Sequence, residues 1–64
     1  MAIPPDLQAA LAVDPEAAAA YTRLSYSHRR EYVRWIEEAK RAETRANRIA
    51  RALEMIKRGE VVGG

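Results

Sequence analysis

The side chains best suited to chemistry in this sequence are five arginines near its end: Arg41, Arg45, Arg48, Arg51 and Arg58. A guanidinium stays charged and presents a planar fork that matches phosphate or carboxylate oxygens. At helical spacing the five fall along one flank and the outer side of a single element. They form the candidate face for an anion or a partner. In one reading this ridge binds nucleic acid, with an affinity that falls as salt rises. In another it is a solvated face that keeps a small protein soluble. The solvated face is favoured, because the aromatic residues that would stack on bases lie on the apolar side of the preceding segment. An acidic protein or peptide is a third candidate occupant, which charge alone does not separate from solvent. No glycine-rich phosphate loop is present, and no helix-turn-helix pair with a polar reading helix is evident.

His28, flanked by Ser25 and Ser27, is the second candidate. Histidine titrates near neutrality, so it is the residue a proton carrier would use. Catalysis needs a nucleophile or a second partner in reach, and here both serines are better explained as helix caps. A half-buried histidine near a helix start is the preferred reading, and a hydrolase centred on His28 is the weakest one. The carboxylates stand beside arginines at surface spacing, and nothing has the pattern of a metal-ligand cluster. No catalytic residue, metal or cofactor is therefore expected, and the chain reads as a non-enzyme.

The bulk properties narrow the class further. The 64 residues make one small domain, and the absence of cysteine removes disulfides and thiolate metal sites. No apolar run approaches the roughly 20 residues of a membrane span, and no secretory signal opens the chain. A cytoplasmic protein is the expectation. The net charge is only +2, yet residues 1–24 sum to −2 and residues 40–58 to +5. The basic character belongs to one element.

Four helices would position these groups, and no strand signal competes with them. Pro4-Pro5-Asp6 and Asp14-Pro15-Glu16 are two helix starts, with proline in the first turn and an acid at the positive end. Two short helices follow from them. The stretch Ser25 to Arg41 holds the one tryptophan and reads as the organising element. Its helix runs from about Tyr26 to Ala39, with Ser25 or Ser27 as cap and Tyr32, Val33, Trp35, Ile36 and Ala39 on one arc. Pairs of Glu31 with Arg34, Arg34 with Glu38 and Glu37 with Arg41 are expected on its polar face. No glycine or proline separates this helix from the next, but the apolar phase shifts near Arg41, so a break is expected there. The last helix runs from about Glu43 to Arg58, with Ala42, Ala46, Ile49, Ala52, Leu53 and Ile56 inward and Gly59 as stop. The predicted core is Leu11, Tyr21, Leu24, Tyr32, Trp35, Ile36, Ile49, Leu53 and Ile56, with Trp35 as keystone. Order is expected from about residue 4 to 59, followed by a flexible tail over 60–64 in which Val61 and Val62 touch the core and Gly63-Gly64 is mobile. Exposed alanine faces suit a monomer or a weak homodimer.

The same residues carry a resemblance. Leu24, Ser25, Ser27, Arg30, Glu31, Tyr32, Trp35, Ile36, Ala39, Lys40, Glu43, Thr44, Arg45, Arg48, Ile49, Glu54 and Met55 occur at the places of a motif in the YdeI/OmpD-associated family. That family is also called OmdA or bacteriocin-protection. Pro5, Asp6, Leu7, Asp14 and Pro15 match its helical lead. The chain thus resembles the family's C-terminal helical module, which in many members follows a separate upstream domain. Tyr26 and Ala42 stand where the family often has proline, and Asn47 where a basic residue is common. The resemblance implies a helix break near Arg41 and a link to bacteriocin protection or the cell envelope. It assigns no catalytic or binding residue. For the motif's polar members the expectation is structural: Glu43 and Thr44 capping the last helix, and Arg45 or Arg48 pairing back onto Glu31 or Glu38. The resulting reading is a small all-α interaction module, with an unknown protein as partner and nucleic acid as the less favoured one.

Overall fold

The computed structural model describes residues 2–62, and it is all-α. The expectations for Met1 and for Gly63-Gly64 lie outside the described residues. Helix α1 spans Pro5–Ala12, α2 Pro15–Arg23, α3 Tyr26–Glu37 and α4 Ala42–Lys57. Four helices in a small bundle is the architecture the sequence predicts, including the break before Ala42.

The helix starts follow local chemistry. Asp14 caps α2 by accepting from the Ala17 N–H at 3.2 Å, and Pro15 fills its first position. Ser25, not Ser27, caps α3, accepting from the His28 N–H at 3.2 Å. The expected cap on α4 does not form: Arg41 occupies the N-cap position without a side-chain bond, and neither Glu43 nor Thr44 supplies one. Helix α4 ends at Gly59, whose φ of 75° suits a residue lacking Cβ. The Gly59 N–H donates to the Ile56 carbonyl and the Glu60 N–H to the Met55 carbonyl, a paired arrangement that satisfies the last free carbonyls.

Helix α4, rather than the tryptophan-bearing α3, is the hub. It packs on α1, α2 and α3, most extensively on α2. The fully buried side chains are Tyr32, Leu7, Ile36 and Ile56, joined in the core by Leu11, Tyr21, Val33, Ile49 and the buried alanines Ala17, Ala20 and Ala52. Leu24, Trp35 and Leu53 are half-buried and pack against this cluster from outside. Trp35 is therefore not the keystone. Tyr32 and Ile36, about 40° apart around α3, hold that position, and Trp35 stands about 100° from Ile36 at the edge of the arc. Ala42 and Ala46 also leave the predicted inward stripe, for both are exposed. In the tail Val62 packs on the core, as expected of Val61 and Val62, and the Tyr32 hydroxyl donates to the Glu60 carbonyl.

Candidate functional site

The five arginines do not form one ridge. About 100° of rotation per residue separates neighbours on a helix, so Arg45 and Arg51 point roughly 120° apart. The structure sends them to different places. Arg45 turns to α1, its Nε donating to Asp6 Oδ2 at 3.0 Å and its Nη2 to Asp6 Oδ1 at 3.1 Å. The remaining nitrogen, Nη1, reaches the Ile36 carbonyl at 3.4 Å. Arg48 turns to α3, where its Nη1 donates to the Trp35 carbonyl at 2.6 Å and its guanidinium carbon lies 5.4 Å from the centre of the Trp35 ring. Arg41, Arg51 and Arg58 stay exposed, and Arg58 lies 3.7 Å from a Glu60 carboxylate oxygen.

Arg45 and Arg48 thus finish α3. Trp35 and Ile36 belong to its last turn, where carbonyls must find partners beyond the regular helix, and the Ala39 N–H already donates to the Ile36 oxygen at 3.1 Å. Two positive side chains from α4 meet those oxygens at the negative end of the α3 dipole. This explains how α3 stops without glycine or proline. It also corrects the expected pairing: the arginines do return to α3, but to backbone oxygens and an indole face, not to Glu31 or Glu38. Nor are the three predicted pairs along α3 within ion-pair distance among the described residues.

Two ion pairs fasten the N-terminal helices to α4. Besides Asp6 with Arg45, Lys57 Nζ meets Asp14 Oδ2 at 2.9 Å while the other Asp14 oxygen serves the cap. Hydrogen bonds from Arg45 and Lys57 hold the Asp6 and Asp14 carboxyls below their ordinary value of 3.8. The partners shift the other way: Lys57 is raised by its bond to Asp14, and Arg45 by its bond to Asp6.

With Arg45 and Arg48 turned inward, α4 leaves an apolar groove against α1. The groove is lined by Ala10, Ala42, Ala46, Ile49, Ala50 and Leu53, with the Asp6–Arg45 pair also on its wall, and has a volume of about 600 Å³. Ala42, Ala46 and Ala50 recur every four residues, so they share one side of the helix and leave its backbone accessible to close approach. Sequence reasoning put Ala42 and Ala46 on the inward stripe of the last helix. The signal that marks them as groove was their size, since alanines at the edge of a stripe fill little space. A smaller cleft of about 270 Å³ lies across the bundle, lined by Glu31, Arg34, Trp35, Glu38 and Val62.

His28 is half-buried, and its backbone N–H is the group that Ser25 accepts from. Among the described residues, no three acidic, histidine or cysteine side chains gather as metal ligands would. No described helix is long and apolar enough to cross a membrane.

A family model described as OmdA, bacteriocin-protection, YdeI or OmpD-associated, matches residues 1–59. Neither the curated proteins nor the solved structures contain a match to this chain.

Proposed function

The chain belongs to the bacteriocin-protection, YdeI or OmpD-associated family, and on that premise we propose that it is a helical interaction module whose partner lays one apolar helix into the α1–α4 groove. The groove is the observation that carries this reading. From Ala42 to Leu53 it follows α4 for about 16 Å at 1.5 Å per residue, room for about three turns of a docked helix. Its alanines favour a close helix–helix approach. The partner is a protein, the module is not a catalyst, and its setting is cytoplasmic. Nucleic-acid binding has weaker support, because Arg45 and Arg48 are already engaged within the bundle and only three arginines of the five remain outward.

Selection from a displayed random-peptide library on the folded chain tests the proposal, with Ala46→Arg as the blocked control. Ala46 is exposed, so the substitution fills the groove without entering the core. Enriched peptides should carry apolar residues at helical spacing and lose binding to Ala46→Arg. Extended or proline-rich winners, or binding indifferent to Ala46→Arg, overturn the reading. Sedimentation that shows dimers abolished by Ala46→Arg makes a second copy the occupant instead. Saturable binding of single-stranded or duplex DNA or RNA with a steep salt slope favours the nucleic-acid alternative.

A further inference from the structure

On a different face of the bundle, two hydrogen-bond donors are buried with no acceptor from the chain among the described residues: the Tyr21 hydroxyl and Arg29 Nε. Tyr21 is only 5% exposed. Both residues line one pocket of about 210 Å³, together with Ile3 and Tyr26. The lining contains no carboxylate and no residue whose side chain only accepts. Tyr26 is 56% exposed, a large ring left at the mouth. The pocket sits at the first turn of α3, which carries no acidic side chain to offset its positive end. None of these four residues lines the α1–α4 groove.

A buried donor without an acceptor is costly, and a buried guanidinium nitrogen more so. Neither atom is open to solvent, so reaching them takes a small shift of the side chains that cover them, and a bound acceptor would then relieve both donors at once. Its chemistry follows from the walls. One arginine supplies a single positive charge and a fork, the phenol supplies one more donor, and Ile3 and the Tyr26 ring supply apolar contact. A singly charged planar anion with a short apolar body fits that set better than a phosphate, which carries more charge than one arginine offsets. We propose that the Tyr21–Arg29 pocket is a binding site for a small organic carboxylate, supplied either as a free acid or as the C-terminal end of a peptide. Burial also raises the Tyr21 pKa above 10.0 against the opposing pull of Arg29, so the phenol remains a donor at neutral pH.

The test is titration of the whole chain, followed by backbone and arginine Nε–H NMR signals at fixed ionic strength. The probes are benzoate, an acetylated tripeptide ending in a free isoleucine, the same tripeptide as its amide, and inorganic phosphate. Benzoate or the free-ended tripeptide should give saturable shifts centred on Ile3, Tyr21, Tyr26 and Arg29, and the amide should give none. Which of the two carboxylates saturates first distinguishes the free acid from the peptide end. Tyr21→Phe removes a hydroxyl that bonds nothing among the described residues, so the fold should persist while affinity falls about tenfold, the loss expected for one hydrogen bond to a charged group. Arg29→Gln should abolish saturation. Shifts that stay linear in every probe, saturation by phosphate ahead of both carboxylates, or undiminished binding by Tyr21→Phe overturn the proposal. The Ala46→Arg variant should bind the carboxylate normally, so this site and the groove fail separately.

Discussion

Helix α4 is fastened on its two flanks by different chemistry. Toward α1 and α2, charge meets charge: Asp6 with Arg45, and Asp14 with Lys57. Toward α3 and the chain's last turn, donors meet backbone oxygens: Arg48 at the Trp35 carbonyl, Tyr32 at the Glu60 carbonyl. The acids on the first flank are also helix-start residues, so each holds its own helix and the hub together. On the second flank Arg48 helps close α3 without the glycine or proline that commonly would, and Tyr32 holds the segment after α4. A carbonyl does not titrate, and an arginine keeps its charge across any ordinary pH. The first flank should therefore respond to acid and salt, and the second should not.

The largest effect expected from breaking this contrast is at Arg48. Arg48→Met keeps the apolar stem but loses both the carbonyl bond and the contact with the indole. It should cost about 1.5 kcal/mol, given a charged hydrogen bond and a partly exposed stacking contact. Denaturant melts should show that loss unchanged between low and high salt. A loss that vanishes in high salt would place Arg48 with the surface ion pairs and erase the distinction. Next in size is Tyr32→Phe, which leaves the buried ring in place and removes one neutral bond to Glu60. About 1 kcal/mol is expected, with faster hydrogen exchange at Glu60 and Val61. The Tyr32 hydroxyl is held above its ordinary value of 10.0 by burial, with the Glu60 charge adding to it. Its share of stability is present below pH 10 and is lost as pH rises through the higher folded value. Lys57 loses its share in the same alkaline range, so the Tyr32→Phe variant is what separates the two.

What was legible in the sequence was local. The Asp14 and Ser25 caps join atoms three residues apart, and proline placement announces both short helices. The phase shift of the apolar residues exposed the break before Ala42. The contacts that give the arginines their roles span more chain: 39 residues from Asp6 to Arg45, 13 from Trp35 to Arg48. Spacing on one helix gives no access to such partners. For the same reason the paired charges along α3 looked sufficient on paper, yet Arg34 and Glu38 instead line the cleft beside Trp35. Trp35 was misplaced because its size argued for the interior, while its angle on α3 put it at the rim. Ala42 and Ala46 were misplaced in the same direction, since apolar character carries no information about whether a neighbour is near enough to cover them. The unpartnered pair Tyr21 and Arg29 left no trace in the sequence, because they belong to different helices.

The smallest effect is expected on the charged flank, where the side chains remain partly open to solvent and screening weakens each pair. The test replaces both acids by amides, Asp6→Asn with Asp14→Asn. Asparagine caps a helix about as well as aspartate, so the cap of α2 survives and only charge is removed. Both carboxyls titrate lower in the folded chain than their ordinary value of 3.8. Their contribution is therefore complete at pH 7, begins to fall near pH 4, and is gone once pH passes below the folded values. Melting temperatures of the native chain and the double variant should differ at pH 7 and converge as pH falls through the folded values, with molar salt narrowing the gap at neutral pH. The Arg48→Met deficit should stay constant over the same acid range, because neither the guanidinium nor the carbonyl it meets changes charge there. If the amide variant instead melts with the native chain at pH 7, the two acids act through helix capping and geometry alone. The flanks of α4 would then differ in their atoms but not in their response to acid.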